Sequence, residues 1–209
     1  MSPTLKVLLA TTNKGKQKEF QSLLINLDAQ LLTPEQLSIE LDVNETGGNY
    51  AENAALKAKA YANQTKMLVL ADDSGLEVDA LGGAPGIRSA RYAPQPGATD
   101  ADRRQFLLKQ LRSFPRPWTA RFRCVIAIAD TNRTIHFSDG TCEGQIIPEE
   151  RGQGGFGYDP IFLVEGQNLT MAELPFGTKN QLSHRARAVQ AAIPLIENIL
   201  KKLFWSTVV

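Results

Sequence analysis

Short apolar runs alternate along this chain with stretches in which apolar residues recur every three or four positions, and the two periods assign the elements. Leu5-Lys6-Val7-Leu8-Leu9-Ala10 predicts a first strand, and Phe20, Leu23, Leu24 and Leu27 predict a helix from Lys14 to about Leu27 with Asn13 placed to cap it. Ala51, Ala54, Ala55, Ala58 and Ala62 give a second helix, from about Tyr50 to Gln64, a small-residue face suited to close packing. Met67-Leu68-Val69-Leu70-Ala71 follows at once as a buried strand that stops at Asp72-Asp73-Ser74-Gly75. Glycine and proline break residues 82–97 into irregular loops, and a helix is predicted from Asp100 to Arg112. Arg121 to Ile128 alternates as a strand, with Arg133 to Phe137 as its hairpin partner. Gly152 to Gly157 is a glycine-rich loop, Ile161 to Val164 a strand, and Leu182 to Leu203 a closing helix.

With 209 residues, of which 43% are hydrophobic, the chain can bury a sizeable core as one domain spanning 1–209, or as two lobes sharing a sheet. Lysine and arginine total 23 against 22 acidic residues, a net charge of +1. No global field is available to grip a nucleic-acid backbone, so any anion site must be local. Cys124 and Cys142 form no CxxC pair and the histidines are His136 and His184 alone, a set that argues against structural zinc. No 18-residue apolar run occurs and no basic-then-apolar leader opens the chain, so neither secretion nor membrane spanning is expected; the expected setting is the reducing cytoplasm with free thiols.

Two adjacent carboxylates at the end of a buried strand are the most informative feature. Ligands of α/β sheets bind at the carboxyl ends of strands, and two acids at one spot repel unless a cation or proton lies between them, which points to a divalent metal; a solvated acidic turn is the alternative. Thr11-Thr12-Asn13-Lys14-Gly15-Lys16 joins a strand to a helix, where free N–H groups, hydroxyls and two lysines could converge on a phosphate, although GxxxxGK[ST] is missing and a solvated basic helix start has the same composition. Glu45-Thr46-Gly47-Gly48 precedes the second helix, which carries Asn53 and Lys57 on one face: hard oxygen donors for Mg²⁺ and a cation for a triphosphate tail, or an ordinary acidic loop and exposed lysine.

Gly154-Gly155-Phe156-Gly157-Tyr158-Asp159-Pro160 combines flexible backbone, two aromatics and an acid, as recognition of a flat base requires; a tight turn over core aromatics would look the same. Lys179, Ser183, His184 and Arg185 gather donors at the start of the last helix, where Ser183 could equally be a cap. His136, in an alternating strand, reads as structural, and Leu203-Phe204-Trp205 as core or subunit packing.

In chain order, Thr-x-Asn-x-x-Lys-x-x-Glu at 11–19, Glu-Thr-Gly at 45–47, Glu-Asn-Ala-x-x-Lys-Ala at 52–58, Ala-Asp-Asp-Ser-Gly at 71–75, Gly-Gly-Ala-Pro-Gly at 82–86, Gly-Gly-Phe-Gly-Tyr-Asp-Pro at 154–160 and Ser-His-Arg at 183–185 resemble the inosine triphosphate pyrophosphatase family, over about residues 5–200. The resemblance implies Mg²⁺-dependent hydrolysis of nonstandard purine nucleoside triphosphates to the monophosphate and pyrophosphate. It implies a mixed α/β fold, a long twisted sheet flanked by helices in two lobes with the site in a cleft between them, and a homodimer. Residue by residue, Thr11, Thr12, Asn13, Lys14, Gly15 and Lys16 would hold the triphosphate, and Glu45 and Asp73 the Mg²⁺. Asp73 would accept the proton of the attacking water, Asp72 would support it and Ser74 would contact substrate. Phe156 would stack on the base, Gly157, Tyr158 and Asp159 would shape its pocket, and Lys179, His184 and Arg185 would complete the contacts.

Five positions in three segments depart from the family pattern: Thr12 where glycine is usual, Asn49-Tyr50 where Thr-Phe is frequent, and Gly177-Thr178 where acids are common. They touch fine specificity and remove no group the chemistry needs. The rivals are a pyrimidine-directed pyrophosphatase of the septum-inhibitor-like family, against which Phe156 to Asp159 and the Ser-His-Arg block argue, and a non-catalytic nucleotide or nucleic-acid binding module.

Overall fold

The computed structural model describes residues 5–208, the last three as backbone only. In chain order it contains β1 (Lys6–Leu9), α1 (Lys14–Leu23), β2 (Gln30–Leu32), α2 (Tyr50–Thr65), β3 (Leu68–Val78), α3 (Asp100–Leu111), β4 (Trp118–Ala129), β5 (Ile135–Ile146), β6 (Phe162–Val164), α4 (Phe176–Leu182) and α5 (His184–Val208). The strands form one mixed sheet in the order β2-β1-β3-β4-β5-β6. β1 runs parallel to both β2 and β3, and β5 runs antiparallel to β6. Only residues 130–134 separate β4 from its neighbour β5, too few for a parallel crossover, so the expected hairpin is present.

The chain folds into two compact units. The first takes in the chain through Asp73, then Cys124–Gly140 and the residues from Arg187 on; the second comprises Ser74–Arg123 and Thr141–Ala186. Alternation along the strands builds the first. Val7, Leu9, Leu68, Leu70, Cys124, Ile126 and Ile128 pack with Phe20 of α1 and Ala188, Val189, Ala192 and Ile196 of α5. Their strand neighbours Leu8, Ala10, Val69, Ala71, Ala127 and Ala129 turn to the opposite face and pack on Ala54, Ala58, Tyr61 and Ala62 of α2. Alanine on both surfaces explains how α2 lies close to the sheet, as its small-residue stripe predicts. The second unit has a core of its own, around Leu76, Val78, Leu107, Leu111, Trp118, Phe122, Ile161, Phe162 and Met171.

Several expectations change, among them the hairpin partner expected from Arg133 to Phe137, which as β5 runs on to Ile146. β3 does not stop at Asp72 but continues through Asp72-Asp73-Ser74-Gly75 to Val78, because neighbouring strands and buried partners accommodate the two acids in mid-strand. α1 ends at Leu23, where Asn26 and Asp28 favour turn over helix, and Leu27 packs from the loop. The closing helix starts at His184 and not at Leu182, after the extended residue Ser183, whose hydroxyl accepts from the Ala186 N–H at 3.1 Å as a cap, and α5 runs on to Val208. β2 and α4 were not expected at all. Trp205 is 66% exposed, so it is no part of this chain's core.

Candidate active site

Because side chains alternate across a strand, Asp72 and Asp73 leave β3 on opposite faces. The Asp72 carboxylate follows Leu68 and Leu70 toward α1, where it meets the Lys16 ammonium at 2.9 Å and the Cys124 thiol at 3.9 Å; its side chain is fully buried. Asp73 follows Val69 and Ala71 toward α2 and accepts from the Asn53 side chain at 3.1 Å. The pleat thus turns the two neighbouring acids to opposite faces, Asp72 pairing with Lys16 and Asp73 with Asn53.

Asn53 connects two pieces of the site. Its Oδ1 accepts from the Gly47 N–H at 2.8 Å while its amide donates to Asp73, so the Glu45-Thr46-Gly47 loop is tied to the carboxylate through one buried side chain. Gly47 has to be glycine: a Cβ there would lie 2.6 Å from the Glu52 Cβ and 2.8 Å from the Asn53 Oδ1. The tie places Glu45 beside α2, where it accepts from the Lys57 ammonium at 2.7 Å. Asn49 caps α2 by accepting from the Glu52 N–H, and Tyr50 is buried behind it, so the departure from Thr-Phe keeps a polar cap followed by an aromatic.

The electrostatics follow from this geometry. Burial opposes the Lys57 charge, but Asp72, Asp73 and Glu45 together hold its pKa above the ordinary lysine value. Burial pushes the Asp73 carboxyl above the usual aspartate range and Glu45 adds to the shift, while Lys57, Lys16 and Asn53 pull the other way. A carboxylate so placed gains from a nearby cation. Glu45 and Asp73 are hard oxygen donors, and among the described residues no group of three or more histidines, cysteines or acids could cage a metal. That donor set suits a divalent cation that keeps water and takes further oxygens from a phosphate.

At the start of α1, Asn13 accepts from the Lys16 N–H at 3.0 Å, the cap the sequence predicts. Gln17 donates to the Thr11 carbonyl at 2.8 Å and to Glu35 at 3.0 Å, bracing the turn. Thr12, Asn13 and Lys14 are exposed, Thr11 and Gly15 half-buried. Lys14 does not join the carboxylate group; it pairs with Glu35 at 3.0 Å on the surface, and Glu35 is lowered to about 2, burial being outweighed by hydrogen bonds from Lys14, its own backbone, Thr33 and Gln17.

In the second unit, the glycine-rich loop is organised around a buried ion pair. Asp159 accepts from the Lys179 ammonium at 2.6 Å and from the Phe156 N–H at 3.0 Å, and the Lys179 ammonium and Arg185 guanidinium stand 5.3 and 5.8 Å from the centre of the Phe156 ring. Gly155 permits this: at φ +73° it carries no Cβ, and one would lie 2.0 Å from the Asp159 Oδ2. Arg185 donates to the Ser74 hydroxyl at 2.9 Å, and His184 stacks on Phe122 with centroids 4.8 Å apart. The Tyr158 ring is buried and its hydroxyl donates to the Ser89 carbonyl at 2.9 Å. Asp159 and Tyr158 thus shape the loop from within, and Phe156 stays half-buried.

The predicted residues accordingly fall into two groups, each within one unit: Lys16, Glu45, Asp72 and Asp73 with Asn53 and Lys57, and Ser74, Phe156, Gly157, Tyr158, Asp159, Lys179, His184 and Arg185. Sequence reasoning missed Asp100 and Arg104, which bind Gly157 from α3, and Gln17 and Glu35, which brace the α1 turn. Asp100 and Arg104 stand one helical turn apart, a spacing that marks a shared face but not what that face meets. His136 lies in β5, 3.5 Å from Asp130 and partly exposed.

Fold and site define an α/β protein with a carboxylate–lysine constellation and an aromatic loop backed by cations. The chain belongs to the Ham1 family, which it matches over residues 7–195. A protein of Desulforamulus reducens named dITP/XTP pyrophosphatase is 47% identical, the alignment covering 93% of this chain and 97% of that one. One of the same name from Shouchella clausii is 45% identical, covering 94% and 99%. Among solved structures, a HAM1 protein from Coxiella burnetii superposes with a TM-score of 0.84 at 40% identity over 93% of this chain and all of that one, and the Staphylococcus aureus Ham1 protein with 0.81 at 38% over 92% and 98%.

Proposed function

We propose that this chain is an Mg²⁺-dependent hydrolase of nonstandard purine nucleoside triphosphates, ITP, dITP and XTP, which it cleaves to the nucleoside monophosphate and pyrophosphate. Such hydrolysis would keep deaminated purines out of DNA and RNA, and the nucleotide pool it would cleanse lies in the cytoplasm. Residues 1–209 act in it as one pyrophosphatase domain, and the family resemblance favours a homodimer, with neither nucleic acid nor membrane as partner. Among the described residues no helix is long and apolar enough to cross a membrane.

The observation that carries the reading is the tie from Gly47 through Asn53 to Asp73, which fixes two carboxylates and Lys57 as one charged unit. Glu45 and Asp73 would hold Mg²⁺, which when bound offsets phosphate charge and acidifies water. Lys16 and the N–H groups opening α1 bind phosphate oxygens, with Lys14 recruited from the surface. Water attacks the α-phosphorus, the bond to the α–β bridging oxygen breaks, pyrophosphate leaves, and the proton passes to Asp73.

For the base, Phe156 supplies a stacking face, Ser74 a substrate contact, and Lys179, His184 and Arg185 donors for the C6 carbonyl that hypoxanthine and xanthine present. Adenine presents an amine there, and a site built on such pairing discriminates by roughly 10⁴-fold or more. Initial rates with dITP, XTP, dGTP, ATP and dTTP test this. The reading requires dITP and XTP to lead by orders of magnitude, and a preference for ATP or dTTP refutes it.

A further inference from the structure

Phe156 stands between Gly155 at φ +73° and Gly157 at φ +63°, so its own chain gives the ring little rigidity. Asp159 ties the loop from within, and a second anchor comes from a different element. The Gly157 N–H donates to the Asp100 Oδ2 at 2.7 Å, and the Gly157 carbonyl accepts from the Arg104 Nη1 at 2.8 Å. Both backbone polar groups of one left-handed glycine are therefore held by residues one turn apart on α3.

That turn of α3 is itself fixed. Thr99 and Asp102 form a reciprocal capping box, and Arg103 ties Asp100 to the Ala98 carbonyl. The other Nη of Arg104 binds Glu150 at 2.8 Å, so its guanidinium is used as a planar fork that lysine could not reproduce. Burial opposes the Asp100 charge, but Arg103, the Gly157 N–H and Arg104 hold its pKa below the usual value, so it accepts as a carboxylate at neutral pH.

We infer that Asp100 and Arg104 are specificity-determining positioning residues, which clamp Gly157 so that Phe156 and the cations behind it meet a base in one geometry. This rests on the reading of Phe156 to Asp159 as the base-contacting loop. With the clamp broken, the loop spends only part of its time in the competent arrangement, so apparent affinity for a matched base falls by that fraction, while a mismatched base, which gains nothing from that arrangement, loses less. Bond cleavage, which involves residues of the other group, is not touched.

The test compares Asp100→Ala and Arg104→Ala with the wild type on dITP and dATP, and follows amide exchange over residues 155–159 without nucleotide. In each alanine variant KM for dITP rises about tenfold, kcat changes less than about threefold, and the preference for dITP over dATP shrinks about tenfold. Loop exchange accelerates in both, and Asp100→Asn, which keeps an acceptor for the Gly157 N–H, restores most of the loss. Arg104→Gln carries the same test if an alanine variant fails to fold. A wild type that releases no pyrophosphate from dITP overturns the functional reading alone, and the exchange comparison then still decides the clamp. Unchanged KM and selectivity in an active enzyme, or unchanged loop exchange, overturns the clamp.

Discussion

Replacing Lys16 by methionine isolates a buried charge pair of the first unit. The Asp72 side chain has no exposure and that of Lys16 has 16%, and their charged atoms lie 2.9 Å apart. Methionine keeps the aliphatic stem and deletes the ammonium, so the buried carboxylate loses its ion-pair partner. Breaking such a pair from one side costs about 3–5 kcal/mol. The neighbouring Lys57, whose pKa already registers the Asp72 charge, absorbs some of this, which favours the lower end. For a chain of this size about 3 kcal/mol lowers Tm by roughly 6–12 °C. The double variant is the sharper test: Lys16→Met with Asp72→Asn removes both charges and returns to within about 1 kcal/mol of wild type, because the pair itself is worth little against its desolvation. Urea denaturation of the four proteins of the cycle, in metal-free buffer at pH 7, measures this. Additive losses in the double variant, or a cost below about 1 kcal/mol for Lys16→Met, refute it.

Asp73→Asn lowers kcat by about a thousandfold or more, yet stabilises the metal-free protein at neutral pH, by about 1 kcal/mol on the scale usual for relieved active-site strain. The sign follows from the raised pKa: the folded state binds the Asp73 proton more tightly than the unfolded, so the ionised carboxylate opposes folding above its folded-state pKa and costs nothing below the ordinary value of 3.8. The stability gap between variant and wild type should thus be absent at pH 3.5 and open as pH rises, and thermal melts across that range check it. Gly155→Ala, forcing a Cβ against Asp159 at a positive φ, should raise KM for dITP at least about tenfold through the Lys179–Asp159 pair, read from saturation kinetics. Lys14→Ala removes an exposed pair with Glu35 and a hydrogen bond to Gln17, and should change stability by less than about 0.5 kcal/mol while raising KM, which melts and kinetics together would show.

Much of this site was legible because its residue types are unusual in their places. The strand–Asn–helix start, the alanine face of α2 and the acids after an apolar run each follow from period and capping rules, and each is present. The pleat hid what those rules could not supply. Reading Asp72-Asp73 as the end of a strand put both acids at one spot, whereas alternation inside a longer strand sends one to α1 and one to α2. β5 was underestimated because Ser138, Asp139, Gly140 and Thr141 break the apolar pattern where packing, not composition, sustains the strand. The Asp100–Arg104 clamp acts on backbone 53 and 57 residues away, a pairing that no local signal encodes.

The most direct test of the account is the identity of the products. Wild-type protein incubated with dITP and Mg²⁺ in ¹⁸O-labelled water should release pyrophosphate free of the label and dIMP carrying one labelled oxygen on its phosphate, with both lost in Asp73→Asn. Orthophosphate with dIDP, or label in the pyrophosphate, would contradict it.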